Sequence, residues 1–364
     1  MSPRRRQSTP DVFTIDKARE LRLTNYRLYR SGLKIPYSGL RINSAAESIM
    51  KEPSAQRSHQ PSHLQNHQPD HQQSAQQTAQ QTDPTPREYS NAELGRMLAL
   101  RDPSLVISHQ TAAETWGIWL PSRMRTTRLH LSRVRGEGSM PRYLGAVGHF
   151  VHKARDTDLR TIDDVRITSP EWTWTELASQ GLTVHELVAA GDALLQRADG
   201  PPRPMGVLGQ NPLSSREILR ELVERRRGVP GIRNLRIALE LLRERVDSER
   251  ESRLRTRLVD SGWPEPDVNP RLRFDDGWEA LPDLAYRLWR IALQYEGEHH
   301  FSQAKQYRSD MNRDEQLRMR DWQTLRVDSS VFTARGWRSF TDRLAKAIEQ
   351  QTQQLSPMEF RVIE

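Results

Sequence analysis

Residues 49–88 carry the run "SHQPSHLQNHQPDHQQSAQQTAQQTDPTP", built from Gln, His, Ser and Pro with almost no apolar side chain. Such a stretch cannot bury enough surface to offset chain entropy, so it is expected to be a disordered linker. It separates a short N-terminal unit from a long C-terminal part, and 364 residues leave room for two or three domains. His59, His63, His67 and His71 recur every four residues, and on a helix they would share a face able to bind a metal. Pro61 and Pro69 interrupt that helix, which favours a low-complexity repeat.

The remainder alternates between apolar and charged segments. Mean hydropathy is -0.80, as expected for compact domains diluted by polar sequence. No window approaches the ~20 apolar residues of a membrane span, and "MSPRRRQSTP" lacks the apolar region of a signal peptide, so no membrane association and a cytoplasmic location are expected. There is no cysteine, which excludes disulfides and cysteine–zinc sites. Net charge is +8 and Arg far outnumbers Lys. Guanidinium forks suit phosphate oxygens and base edges, so a nucleic-acid partner is expected; a GC-rich genome would also enrich Arg.

Residues 1–10 form a basic tail. In residues 11–48, Thr14 can cap a helix running through Glu20, Thr24 can cap a second that Gly32 stops, and "LKIPYSGLRI" reads as two short strands around Pro36–Gly39. This is the pattern of a winged helix-turn-helix. Its second helix would carry the DNA-contacting candidates Asn25, Arg27 and Arg30, with Tyr29 beside them. A small helical subdomain that never touches DNA is the alternative.

Residues 89–209 read as an α+β middle domain. Asn91 can cap the helix "AELGRMLALR". "LVISHQTAAETWGIWLP" is a strand followed by a helix that ends at Gly117. "TRLHLSR", "VGHFVHKA" and "DDVRITSP" alternate as strands do, and "PEWTWTELASQ" and "TVHELVAAGDALLQR" are helical. Ser108–His109 lacks a third partner, so His109 is expected to start or pack a helix rather than catalyse.

Residues 210–364 begin with helices at "REILRELVERRR" (capped by Ser214), "GIRNLRIALELLRERV" and "SERESRLRTRLVDSG", where Ser248 and Glu251 have capping-box spacing. Strands follow at "DVNPRLRF", "ALPDLAYRL" and "WRIALQYEG". Then come an amphipathic helix, the strand "WQTLRV" and a closing helix. The order is that of an α-β-β-β-α-β sandwich, and the fold class is α/β, or α+β overall across several domains. Glu251 lies on the helix before the sheet, Asp283 follows Pro282, and Gln294 and Glu296 end the next strand, two apart and therefore on one side. Hard oxygen ligands grouped at a sheet edge suit Mg²⁺, and His299 or His300 could shuttle a proton. Solvated turn acids, with Asp283 paired to an Arg, are the alternative.

"PDLAYRLWRIALQYEGEHH" followed by "QYRSDMNRDEQLRMRDWQTLRV" resembles the C-terminal domain of bacterial proteins related to very-short-patch-repair endonucleases, within the PD-(D/E)XK nuclease superfamily. The resemblance aligns Glu251 in "SERE" with a helix glutamate, "GWPEP" with a Gly-Leu-Pro-x-Pro motif, and Asp283 with the aspartate of the PD motif. Downstream it covers Asp310, Arg313, Leu317, Trp322 and Arg326. The middle segments resemble those of the same multidomain proteins. "VFTIDKARELRLTNYRLYRSG…GLRI" is similar to their winged helix, itself like the antitoxin of abortive-infection type IV toxin–antitoxin systems.

The resemblance implies a DNA endonuclease using Mg²⁺ or Mn²⁺, with Asp283, Glu296 and Gln294 at the metal, Glu251 beside them and His300 as proton shuttle. It places Gln294 where the family has glutamate and Glu296 where it has aspartate, and offers no counterpart of the superfamily lysine. Two functions therefore stand at this point. One is a metal-dependent endonuclease in phage defence, toxin–antitoxin biology or repair. The other is a nuclease fold without its chemistry, acting as a DNA-binding regulator or antitoxin with a cognate toxin or other protein partner.

Overall fold

The computed structural model describes residues 12–14, 40–42, 90–124, 128–143, 146–204, 206–296 and 312–354. The helices expected in the N-terminal unit, with Asn25, Arg27 and Arg30, lie outside these residues, as do the linker, His299, His300 and Asp310. In the N-terminal unit β1 (Val12–Thr14) pairs antiparallel with β2 (Leu40–Ile42). The "LRI" strand expected in the wing thus has a partner from the start of the unit.

The middle unit opens with α1 (Asn91–Arg101). Its cap is Ser90, one residue before the expected Asn91, because Ser90 and Glu93 satisfy each other's backbone N–H in a capping box. After β3 (Leu105–Ile107) and α2 (His109–Trp116), Gly117 stops the helix at φ 61. Strands β4 (Leu129–Val134), β5 (Ala146–Val151), β6 (Leu159–Ile162) and β7 (Val165–Thr168) complete a mixed sheet of order β5-β4-β3-β7-β6. β6 was not expected. The segment "LRTIDDVRIT" folds as a hairpin whose turn residues Asp163 and Asp164 have φ 46 and 63, the positive-φ pair of a tight hairpin.

Helices α3 (Pro170–Ala178), α4 (Val184–Asp192), α5 (Arg216–Arg225) and α6 (Ile232–Leu241) follow. Ser215, not Ser214, caps α5 by accepting the Ile218 N–H. Both α5 and α6, expected with the C-terminal block, bury Leu219, Val223, Leu235 and Leu239 in the same core as the middle sheet. Gly231 starts α6 at φ +81, where an added Cβ would lie 2.5 Å from the Ala178 carbonyl. Only glycine permits that approach of α6 to the end of α3.

A second core begins with α7 (Glu249–Asp260). "DVNPRLRF" is not one strand: Asn269 at φ 43 and the following Pro270 break it into β8 (Asp267–Val268) and β9 (Leu272–Arg273). Pro282 likewise separates β10 (Glu279–Ala280), which pairs with β9, from β11 (Leu284–Tyr286). With β12 (Ile291–Tyr295) and β13 (Gln323–Val327) these make a mixed sheet of order β13-β12-β11-β8, in which only β12 and β13 run parallel. Period-two alternation sends Leu284, Tyr286, Ile291 and Leu293 to the face covered by α7 and α8 (Ala334–Gln354). Ala285 and Ala292 face Leu317 and Trp322, at and just beyond helical residues 312–318. The unit is a mixed α/β sandwich.

The two cores meet at a buried ion pair. Arg255 of α7 and Asp192 at the end of α4 are both fully inaccessible and 3.0 Å apart. Asp192 also accepts from Ser252 Oγ at 2.7 Å and from the Arg243 N–H at 2.7 Å. Arg255 also donates to Glu265 and to the Leu241 carbonyl. Removing one partner strands a buried charge, so Arg255→Ala is expected to cost ~3–5 kcal/mol. Urea unfolding measures this, and a loss below ~1 kcal/mol would contradict the role given to the pair.

Ser108 and His109 sit in a second buried polar cluster. His109 begins α2 at φ 53, and its N–H donates to Glu176 Oε2 at 2.9 Å. Its ring stacks on His149 at 3.7 Å, and His149 Nε2 lies 3.0 Å from His130 Nδ1. Ser108 is wholly buried and takes a hydrogen bond from Ser132, so this network packs and starts a helix. Burial lowers His109 and His149 to about 3 and His130 to about 4, and raises Glu176 to about 7.

The unfolded chain takes up imidazole protons that the folded cluster refuses. The histidine contribution is thus present above pH ~6.5 and lost as pH falls toward the folded values. Glu176 acts in the opposite sense, gaining stability as pH falls from about 7 through its unfolded value near ~4.5. His149→Gln removes one histidine term, so between pH 6 and 5 the parent should lose up to ~1.4 kcal/mol of stability relative to it. Urea curves whose separation does not change with pH would contradict this.

Candidate active site

The start of α7 fixes Glu251. Ser248 caps the helix by accepting the Glu251 N–H, and returns its hydroxyl to Glu251 Oε1 at 2.7 Å. Oε2 accepts the Asp247 N–H at 3.0 Å and Asn269 Nδ2 at 2.7 Å. The positive φ of Asn269, which breaks the expected strand, therefore aims its amide at Glu251. The Asn269 N–H meanwhile donates to the Asp283 carbonyl at 2.9 Å. Asn269 thus ties the two acids together, and only the Asn-Pro dipeptide hinted at a break there.

Asp283 stands just before β11. The Leu284–Leu293 pairing carried back one residue sets it opposite Gln294. Gln294 Nε2 donates to Asp283 Oδ1 at 2.8 Å, and the Tyr295 N–H donates to Oδ2 at 2.6 Å. Gln294 therefore offers the positive end of its amide to the carboxylate. A glutamate there would set two carboxylates against each other.

Glu296 goes elsewhere. Its N–H donates to the Val327 carbonyl, and its carboxylate takes Arg326 Nη1 at 2.5 Å, while the same guanidinium holds Asp314 at 2.6 Å. The structure thus brings together Glu251, Asp283 and Gln294, and commits Glu296 to an ion-pair network with Asp314.

Burial raises the Glu251 carboxyl well above its usual range, and the nearby Asp283 charge raises it further. Asp283 is also raised by burial, against the pull of the Tyr295 N–H, the Gln294 amide and Arg313. Asp247, which the sequence did not single out, adds negative potential at the same edge. Its own pKa is raised by burial, and Arg197 offsets it from 3.1 Å.

The buried Glu251 and half-buried Asp283 carboxylates beside an amide are hard oxygen donors, and Mg²⁺ needs only one or two carboxylates because it keeps several waters. Glu251 and Asp283 fit one such ion by donor chemistry, with Gln294 able to turn its amide oxygen toward it. Among the described residues no group of three acidic or histidine side chains could hold a metal, which keeps Glu296 out of the donor set as arranged.

Compared with family models, curated proteins and solved structures, the chain matches none. Among the described residues no helix is long and apolar enough to cross a membrane.

Both acids hold protons in the folded state that the unfolded chain has lost, so their burden on stability grows as pH rises through their raised folded values. A divalent cation must displace those protons. Mg²⁺ added at pH 7 should release about one proton per ion bound, read by calorimetry in two buffers of different ionisation enthalpy, and Asp283→Asn should abolish the release. Binding without proton release would contradict the coupling.

Proposed function

We propose that the chain is a DNA-binding protein whose C-terminal unit is a metal-dependent phosphodiesterase of the endonuclease type. The observation that carries this reading is the pairing of buried Glu251 with half-buried Asp283, linked through Asn269 beside the ends of β11 and β12. A helix before a four-stranded mixed sheet, with helical residues 312–318 between β12 and β13, supports it; the β9–β10 pair is an addition to the α-β-β-β-α-β order expected from the sequence. The basic charge supports a DNA partner.

Glu251 and Asp283 would hold one Mg²⁺ or Mn²⁺, which supplies polarisation of a phosphoryl oxygen and a water of lowered pKa. The chain's own groups do the positioning. Ser248, Asn269 and the Asp247 N–H fix the Glu251 carboxylate, and the Tyr295 N–H and Gln294 amide fix Asp283. Arg326 keeps Glu296 away from the acids. His300, outside the described residues, is assigned the proton shuttle, and the N-terminal unit sets the DNA register through Asn25, Arg27 and Arg30.

One observation favours a second reading. The Gln294–Asp283 hydrogen bond satisfies the aspartate without a cation, as suits a nuclease fold retained for DNA-binding regulation or antitoxin function with a protein partner. Supercoiled plasmid with Mg²⁺ or Mn²⁺ separates the two. The enzymatic reading expects nicking by the parent, a loss of at least ~100-fold in Asp283→Ala, and tighter metal binding in Gln294→Glu. Equal cutting by parent and Asp283→Ala would remove the site from the reaction. No cutting, together with no metal binding by parent or Gln294→Glu, would overturn the enzymatic reading and favour the regulatory one.

A further inference from the structure

Helix α7 carries three arginines on one stripe, at spacings of three and four residues, and each lies over an aromatic ring. The Arg250 guanidinium is 5.2 Å from the centre of Tyr295, Arg253 is 4.1 Å from Phe332, and Arg257 is 4.3 Å from Trp337. The three rings pack against the second core and so form a fixed floor. Stacking on a fixed ring holds a guanidinium plane and reduces the rotamer freedom it would lose on meeting a ligand.

The polar edges of these guanidiniums are only partly used. Arg257 donates through Nη1 to the Val331 carbonyl at 2.8 Å, and Arg253 has Glu249 at 3.6 Å. Among the described residues Arg250 has no acid within ion-pair distance. All three side chains keep partial access to solvent.

The stripe begins at the candidate site. Arg250 precedes Glu251 in the chain, and the ring beneath Arg250 belongs to Tyr295, whose N–H holds Asp283. From Arg250 to Arg257 the helix rises ~10 Å, about the axial length of three nucleotides at ~3.4 Å each. We infer that Arg250, Arg253 and Arg257 form a track for the phosphate backbone of one DNA strand, leading it to the Glu251–Asp283 edge. This rests on the DNA-binding reading and adds the path of the substrate.

The test is anisotropy of a labelled DNA duplex titrated with the full chain across a range of salt concentrations. Replacing Arg250, Arg253 and Arg257 by Gln should lower the slope of log K against log salt by about 2–3, since each phosphate contact contributes ~0.9, with affinity at low salt falling at least ~10-fold. Replacing the exposed Arg220, Arg233 and Arg236 of α5 and α6 by Gln removes the same charge elsewhere, and should change the slope by less than ~1.

An unchanged slope in the first variant, with the parent still binding, would overturn the track and leave DNA binding standing. Equal losses in both variants would reduce the stripe to bulk charge and also overturn it. A parent that binds no DNA at low salt would overturn the track and the DNA reading together. If the triple variant melts early, Arg250→Gln and Arg253→Gln singly should each lower the slope by about 1, and no change in either would overturn the track.

Discussion

Arg255 has no access to solvent, and neither does the Asp192 carboxylate it meets. Two charges taken out of water are tolerated only when hydrogen bonds satisfy their remaining faces. Here Ser252 and the Arg243 N–H complete Asp192, while Glu265 and the Leu241 carbonyl take up the two terminal nitrogens of Arg255 and leave its buried Nε without a partner. Even so, burial raises Asp192 to about 6. The pair fixes α7 against α4, and so fixes the C-terminal sheet against the middle core. Glu251 lies one turn before Arg255 on the same helix. The clamp that joins the cores therefore also sets where the first acid of the candidate site stands.

From that anchor the site follows by short steps. Ser248 starts the helix and holds Glu251. Asn269 crosses from Glu251 to the backbone of Asp283, and β12 brings Gln294 and the Tyr295 N–H onto the Asp283 carboxylate. The arrangement concentrates negative charge where burial makes it costly. Two things can relieve that cost: a shared proton or a divalent cation. Gln294 eases it in part by offering an amide N–H to the Asp283 carboxylate. The enzymatic and regulatory readings differ at that one hydrogen bond.

Much of this was legible in the sequence. The Ser248–Glu251 spacing located a helix start, because N-capping is a local rule; the reciprocal half of the expected capping box is absent, Glu251 taking the Asp247 N–H instead. Pro282 before Asp283 and the apolar run in "IALQY" located the ends of two paired strands. Most of what escaped was decided by contacts distant in sequence. The apolar stripes of "REILRELV" and "IRNLRIALEL" showed that these helices bury a face, but not which core receives it. "LRTIDDVRIT" concealed a hairpin, since Asp-Asp is a weaker turn signal than Asn-Gly or Asp-Gly. Gln294 and Glu296, two apart on a strand, were expected to act together. Arg326, the register partner of Gln294 on β13, instead draws Glu296 toward Asp314. No spacing rule contains that competition, which depends on where a helix after the sheet presents an acid.

The claim on which the functional account turns is that Glu251 and Asp283, and not Glu296, form a cation site. Electron paramagnetic resonance of Mn²⁺ titrated into the full chain tests this directly, because bound Mn²⁺ loses the sharp six-line signal of the free ion. The account predicts saturable binding of one Mn²⁺ that is lost in Asp283→Asn, weakened in Glu251→Gln and preserved in Glu296→Gln. Binding that survives Asp283→Asn, or that disappears with Glu296→Gln alone, would contradict it.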